Sequence, residues 1–325
     1  MKIFFILLFC DKYKVKKFFF IFFLIPTLCW GLTFSGGKEV VGNTVIPSNT
    51  FQIELTKDPK VAFIYTDEIA RAGNKSQKFT LSHNSCGAAE GYDDCVNDAQ
   101  RTERMPKSID HNVGDVVYYG LSIFLPKDFT SIHPAVVTLG QVKLEGLHKP
   151  IWITKLKEDY FTIVTHWNKT ECRLIKTNEM IGNWTDFIIK ADYSIKGSEN
   201  NNYFEVWVND KRKCLEYKKI LTQKALDSKY RDKKNKINLR YGIYQLKLSE
   251  WFNKNKTKEP QGLEVYDEGE LRGGSEHGEM KTITGSPFNY DWGIKLPTQV
   301  IYFDEMRVGS TKEEVDVTLN KEPVD

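Results

Sequence analysis

The sequence predicts an all-β fold, a two-sheet sandwich or jelly roll, and three observations carry the prediction. Short runs rich in β-branched and aromatic residues recur along the 325-residue chain and are separated by turn residues. In "FEVWVN" and "DFIIKADYS" apolar and polar residues alternate, as expected for a sheet with one buried face. Helical periodicity is confined to Cys214–Arg231, so about a dozen strands follow one another without intervening helices.

The strand predictions rest on individual segments. In chain order these are "FQIELT", "VAFIYT", "QKFTLS", "VVYYGLSIFLP", "AVVTLGQV", "PIWITKL", "DYFTIVT", "CRLIK", "WTDFIIKADYS", "YFEVWVND", "INLRYGIY" and "QVIYFDEMRVG". The basic, partly helical segment 211–236 and the polar stretch 248–296 are expected to be excursions from the sandwich. The second is long for a structureless loop, which indicates function or partial disorder.

The N-terminus predicts export. Basic residues extend to Lys17, and an apolar run follows from Phe18 to Leu28, with Cys29 and Gly31 as small residues before a cleavage point. An uncleaved anchor is the alternative, but a run of about eleven residues is short for a span, which needs roughly 20. We therefore expect a signal peptide at 1–31, one domain over 32–325, and a secreted or periplasmic protein without a membrane segment after cleavage.

Charge is distributed unevenly once the signal is removed. The whole chain has a formal net charge of +3. Residues 1–31 hold five lysines and one aspartate, a net charge of +4, so the exported part has a net charge of −1. Between Lys211 and Lys258, sixteen Lys and Arg residues stand against four acids, an excess of +12. Such a block is either a solvated face or a surface that attracts a polyanion. Outside the cell an acidic polysaccharide is the expected partner, and nucleic acid is not.

Four cysteines remain after signal removal, which is typical of disulfides in an exported chain. Of the three possible pairings, local spacing favours Cys86–Cys95, around the loop "CGAAEGYDDC", together with Cys172–Cys214. We find no CxxC pair and no His/Cys cluster that would indicate zinc.

The strand "INLRYGIYQ" is interrupted by a glycine. Because side chains alternate along a strand, Arg240, Gly242 and Tyr244 share one face, and Arg240 and Tyr244 stand roughly 13 Å apart. The glycine either leaves a gap in which a ligand approaches the backbone or marks a bulge.

Several segments together resemble a known family. "RAGNKSQKFTLS", "RTERM", "YYGLSIFLPKDF", "LGQV", "NWTDFIIKADYS", "EVWVNDK", "LRYGIYQ" and "VIYFDEMRVG" occur in the order seen in heparin lyase I-like and glucuronan lyase-like polysaccharide lyases. The resemblance spans roughly residues 50–310. It implies a concanavalin A-like β-jelly roll with a long groove, and cleavage of uronic-acid polysaccharides by β-elimination.

The resemblance also implies site residues. Tyr244 matches the catalytic tyrosine, Gln141 the glutamine that neutralises the substrate carboxylate, and Arg240 a position that is often lysine. Nearby cations favour a phenolate, which a tyrosine base requires. The family's histidine two residues after the glutamine is replaced here by Lys143. Either Lys143 neutralises the substrate, or His148 in the next loop substitutes, or activity is weakened.

Other residues are weaker candidates. Arg101 and Glu103 share a strand face, where they either pair with each other or line the groove beside Gly242. His83 and His166 are lone histidines, which are more often structural than functional. Asp304 matches a family position near structural calcium, although no cofactor is expected to be required, and we expect a monomer.

We therefore predict a lyase acting on a uronate polymer. A laminarinase-type hydrolase would need the carboxylate pattern E-x-D-x-x-E, which is missing from the sequence. The remaining rival is a non-catalytic carbohydrate-binding jelly roll derived from a lyase scaffold, for which Lys143 is the best support.

Overall fold

Two antiparallel sheets that pack face to face form the fold, as predicted. The computed structural model describes residues 32–33, 62–89, 92–105, 111–147, 149–197, 201–227, 235–263, 265–267, 281–283 and 285–319. The predicted signal peptide and the strand predicted at 51–56 lie outside these ranges. No helix in the described ranges is long and apolar enough to cross a bilayer.

Strands account for most of the regular structure. In chain order they are β1 (Leu32–Thr33), β2 (Phe63–Thr66), β3 (Ser76–Leu81), β4 (Ala88–Ala89), β5 (Tyr92–Asp93), β6 (Ala99–Arg104), β7 (His111–Asn112), β8 (Val116–Phe124), β9 (Val136–Leu144), β10 (Trp152–Leu156), β11 (Tyr160–Thr165), β12 (Thr170–Lys176), β13 (Trp184–Asp192), β14 (Phe204–Val208), β15 (Lys211–Glu216), β16 (Lys236–Leu246), β17 (Val265–Asp267), β18 (Lys281–Ile283) and β19 (Gln299–Gly309).

The strands form two large sheets and two small hairpins. Sheet I has the order β15-β14-β13-β8-β19-β3-β2, with β1 also paired to β19. Sheet II has the order β12-β11-β10-β9-β16-β6, with β7 also paired to β16. Separate hairpins are formed by β4 with β5 and by β17 with β18. In sheet II, β9 to β12 follow one another in the chain, whereas β16 pairs with both β9 and β6 and so brings together residues that the sequence separates.

Helices are short and lie at the ends of strands. They are α1 (Thr177–Met180), α2 (Gln223–Leu226), α3 (Leu248–Asn255) and α4 (Lys312–Val315), and a 3₁₀ turn covers Pro287–Asn289. The N-terminus of α4 has a capping box, in which the Thr311 and Glu314 side chains each accept a hydrogen bond from the other's backbone N–H.

The helical pattern at Cys214–Arg231 is mostly not a helix. Its first residues belong to strand β15, and within the described part only Gln223–Leu226 is helical. Tertiary pairing of β15 with β14 therefore overrides the local periodicity.

Aromatic residues from both sheets fill the core between them. Phe161 of sheet II packs against Phe187 of sheet I, with ring centroids 5.1 Å apart. The indole N–H of Trp152 donates to the Tyr193 hydroxyl at 3.1 Å, and the hydroxyls of Tyr193 and Tyr119 lie 2.9 Å apart. These polar tips are fully buried, and each finds a partner, so the rings can lie in the core without an unpaired donor.

A row of buried glutamines connects the two sheets beneath β16. The Gln100 amide donates to Gln245 at 2.6 Å, Gln245 donates to Gln299 at 2.8 Å, and Gln299 donates to the Thr130 carbonyl at 3.0 Å. The side-chain oxygen of Gln100 in turn accepts from the Ser85 backbone N–H at 3.0 Å. Strands β6, β16 and β19 are thereby held in one arrangement.

Both predicted disulfides are formed. The Cα atoms of Cys86 and Cys95 are 5.6 Å apart, and those of Cys172 and Cys214 are 5.8 Å apart, within the usual range for a disulfide. The second bond joins β12 to β15, which are edge strands of the two different sheets.

Candidate active site

The register of sheet II places the predicted site residues on one face. Tyr244 of β16 stands opposite Arg101 of β6, and Arg240 of β16 stands opposite Gln141 of β9. Lys143 lies two residues beyond Gln141 and therefore on the same side. Residues separated by 143 and by 99 positions in the chain thus stand opposite each other on adjacent strands.

Buried polar side chains on this face are joined to one another by hydrogen bonds. Asp94 accepts two hydrogen bonds from the Arg101 guanidinium, at 2.6 and 2.7 Å. The same guanidinium donates to Glu103 at 3.0 Å, and the other Glu103 oxygen accepts from the Gln141 amide at 2.7 Å. Arg101 and Glu103 are only 4% and 3% exposed, so the structure shows them paired with each other. Their place is to hold Gln141 and Tyr244.

Arg101 also contacts the predicted catalytic tyrosine. Its guanidinium carbon lies 3.8 Å from the centroid of the Tyr244 ring, a close cation–π contact. Burial opposes the charge on Arg101, but Glu103, Asp94 and Tyr244 together raise the pKa of the guanidinium above its usual value. The cation over the ring is therefore permanent, and a positive charge in that place favours the phenolate form of Tyr244.

The local disulfide delivers Asp94 to this site. Cys86–Cys95 closes the loop that holds Asp94, and the Asp94 carbonyl accepts from the N–H of Ala99 at 2.9 Å, where β6 begins. Asp94 is fully buried. Asp94 was not among the predicted site residues, although the pair of acids between the two cysteines was a visible signal.

Lys143 is held in an environment that opposes its charge. Burial and then the neighbouring Arg240 lower the pKa of Lys143 to about 8, with Glu103 acting in the opposite direction. The amine makes no ion pair among the described residues. A carboxylate from outside the protein would relieve both the burial of this charge and its repulsion by Arg240.

The structure distinguishes between the two explanations of Gly242, an open gap and a bulge. Its φ is +137°, and the pairing of β16 with β9 shifts register between Tyr241 and Tyr244, so the glycine marks a bulge. A Cβ there would overlap the Thr102 carbonyl oxygen and lie 2.9 Å from Phe79. The glycine is required by the neighbouring strand and the core; the idea that it leaves an open gap on the groove face was wrong.

Of the three histidines considered from the sequence, two lie in the described part of the chain. His148 lies outside the described residues. The ring of His83 packs against Phe252 and Phe288, and its Nδ1 accepts from the Leu296 N–H at 3.2 Å, which makes it a structural residue. His166 follows β11, and its backbone N–H donates to the Ile151 backbone carbonyl at 3.0 Å.

Asp304 lies in sheet I, where its carboxylate is occupied by backbone donors. It accepts from the N–H groups of Arg71 at 2.6 Å, Ala72 at 3.4 Å and Glu305 at 2.8 Å. The described ranges contain no cluster of three or more His, Cys, Asp or Glu residues that could hold a metal. This donor set clamps the 71–72 backbone and does not fit a cation site, so calcium stays a prediction without a defined ligand set.

The basic block between Lys211 and Lys258 contributes described residues to both sheets. Lys211, Arg212 and Lys213 lie on β15 in sheet I, whereas Arg240 lies on the site face of sheet II. Lys233 and Lys234 lie outside the described residues. Attraction of a polyanion by this block therefore stays a prediction, and Arg240 is its member on the site face.

The structure defines a β-jelly roll in which two cations and the predicted catalytic tyrosine share one sheet face. The chain matches the family described as "Polysaccharide lyase" over residues 49–307. It therefore belongs to the polysaccharide lyase family and is a carbon–oxygen lyase that acts on polysaccharides.

Comparison with solved structures finds remote likenesses. The alginate lyase A1-II', a member of polysaccharide lyase family 7, is 10% identical with a TM-score of 0.41, covering 77% of this chain and 83% of its own. A family 131 β-glucanase catalytic domain from Podospora anserina is 10% identical with a TM-score of 0.45, covering 85% of this chain and 90% of its own. No curated protein matches the chain.

Proposed function

We propose that this lyase is exported and cleaves a uronic-acid polysaccharide by β-elimination on the described face of sheet II. The observation that carries the proposal is the set of Arg240, Lys143 and Tyr244 on one face, with Arg101 stacked on the tyrosine. The relation to heparin lyase I-like and glucuronan lyase-like enzymes belongs to the same proposal. Export is supported by the N-terminal pattern and by two disulfides, which form in oxidising compartments.

The reaction divides the work between a proton carrier and cations. Tyr244, as phenolate, takes the proton from the sugar carbon that bears the carboxylate. The electron pair of that C–H bond forms a carbon–carbon double bond, and the bond from the next carbon to the glycosidic oxygen breaks. The oxygen leaves with its electron pair and takes the proton back from Tyr244. The products are an unsaturated uronate and a new reducing end, with atoms and electrons balanced.

Negative charge grows on the substrate carboxylate when the proton leaves. Arg240 is always charged, and Lys143 is charged below its pKa of about 8, so both stabilise that charge. Gln141 is held beside them by its hydrogen bond to Glu103. Because Arg240 cannot give up its proton, it acts as a cation and not as a base.

The decisive test is Tyr244→Phe, which removes only the hydroxyl. Turnover should fall by about 10²-fold or more, the usual share of a general acid–base group, while the folded state is kept. The measurement is ultraviolet absorbance of the unsaturated product on glucuronan, alginate, heparin and pectin. Tyr217→Phe, at a tyrosine that is 53% exposed outside the site, is the matched control. Normal activity of Tyr244→Phe would remove this residue from the mechanism.

Lys143 stands where the family has histidine, so the assay is run first on the unaltered protein. Binding of a uronate polymer without ultraviolet absorbance on any polymer of the panel would contradict the proposed reaction and leave a binding protein on a lyase scaffold.

A further inference from the structure

The site face continues toward the β12 edge of sheet II, where it carries Lys155, Tyr160 and Arg173. Ile153 of β10 stands opposite Gln141, so Lys155, two residues later, lies on the same face. Lys155 stands opposite Thr162 of β11, which in turn stands opposite Arg173 of β12. Strands lie roughly 4.8 Å apart, so Lys155 is about 10 Å and Arg173 about 19 Å across the sheet from the strand of Tyr244.

Lys155 is a half-buried cation for which the described part of the chain supplies no ion-pair partner. Burial lowers the pKa of Lys155, and the charges of Lys157 and Lys247 add to the effect while Glu171 opposes it. The nearby acids are already engaged: Glu171 accepts from Lys157 at 2.5 Å, and Lys247 donates to Glu250 at 2.8 Å. Among the described residues, Lys155 itself makes no ion pair and no side-chain hydrogen bond.

Arg173 offers a charge and a ring at the end of this row. Its guanidinium is exposed and lies 5.2 Å from the centroid of Tyr160, a half-buried tyrosine on the same face of β11. Arginine presents a planar fork that matches a carboxylate, and an aromatic ring beside it offers a surface for the apolar face of a sugar. A six-membered sugar ring is comparable in length to one strand spacing, so successive sugars would meet successive strands.

We propose, resting on the lyase function above, that Lys155 and Arg173 form a second carboxylate-binding region for the polymer. The substrate then lies across strands β16 to β12, with the cleaved bond at Tyr244 and further uronates over β10 and β12. The substrate class that follows is a polymer in which carboxylates recur along the chain. A mostly neutral polysaccharide with single uronates would leave Lys155 buried and unpaired.

The test uses uronate fragments from disaccharide to octasaccharide, prepared from glucuronan and from alginate, with the full-length protein. Affinity for the unaltered protein should rise with fragment length until the fragment reaches Arg173. In the double variant Lys155→Gln, Arg173→Gln, that increase should be lost, and KM for the polymer should rise by about tenfold, the equivalent of roughly 1.4 kcal/mol. The kcat should stay within about twofold, because neither side chain touches the reacting sugar.

Lys211→Gln, Lys213→Gln is the matched control, since it removes two exposed charges from sheet I. A length dependence and KM that are unchanged in the Lys155, Arg173 variant, or changed as much in the control, would overturn the proposal. Absence of cleavage by the unaltered protein would instead refute the lyase reaction. Binding of the same fragments, measured by calorimetry, would then still decide whether the second region exists.

Discussion

At the scale of single residues, Lys143 defines how this site differs from the pattern of its family. A histidine in that place would change charge near neutral pH, and lysine normally does so near 10.5. Burial and Arg240 bring the lysine to about 8, so the substitution keeps a group that titrates close to neutral pH. The sequence showed the replacement, but its consequence depends on the neighbours that β16 and β6 supply.

If Lys143 neutralises the substrate, kcat/KM should fall as pH rises through about 8, because the cation is lost there. Lys143→Arg keeps the charge, so this variant should retain activity and lose that descending limb. The measurement is the pH profile of product absorbance for both proteins. An ascending limb near the same pH, with Lys143→Arg inactive, would show instead that the neutral amine is the base.

The same lysine should reduce stability in a predictable pH window. Its folded pKa lies below the unfolded value, so the unfolded chain binds more protons between about 8 and 10.5, and stability rises with pH across that window. Lys143→Met removes the buried charge and should raise the free energy of unfolding at pH 7 by up to about 3 kcal/mol. Urea denaturation at neutral and alkaline pH checks this, since the gain should vanish above the window.

At the scale of elements, strand β16 shows what alternation predicts and what it leaves open. The period of two correctly placed Arg240 and Tyr244 on one face, because that period depends only on extended backbone, but it wrongly placed Gly242 there with them. It could not show that Gly242 has a positive φ, since the bulge results from pairing with β9. Lys155 and Arg173 were missed for a related reason: only the strand order shows that they lie on the face of Tyr244.

Gly242→Ala should therefore destabilise the protein. The alanine Cβ would overlap β6, and the left-handed backbone costs about 1–3 kcal/mol for a non-glycine residue. Gly242→Val, whose side chain is larger at the same crowded place, should cost more. Gly140→Ala on the adjacent strand is the matched control, because the atoms nearest to its Cβ are 3.8 and 3.9 Å away. Equal midpoints of urea unfolding for the two alanine variants would contradict this account.

At the scale of the whole molecule, the two disulfides hold different things. Cys172–Cys214, with 42 residues of separation, ties an edge of sheet II to an edge of sheet I. Cys86–Cys95, with a separation of 9, closes the loop that brings Asp94 to Arg101. The first constrains the unfolded chain more, because a longer loop loses more entropy on closure.

Replacement of Cys172 and Cys214 by serine should lower the free energy of unfolding by about 4 kcal/mol, and replacement of Cys86 and Cys95 by about 3 kcal/mol. Activity should follow the opposite order. Loss of the local bond frees Asp94, and with it the support of Arg101, Tyr244 and Gln141, so kcat should fall most in that variant. Denaturant unfolding and product absorbance, measured on both variants under conditions where each is folded, separate the two effects. A Cys86, Cys95 variant with unchanged kcat would show that the Asp94–Arg101 pair holds its geometry without the disulfide.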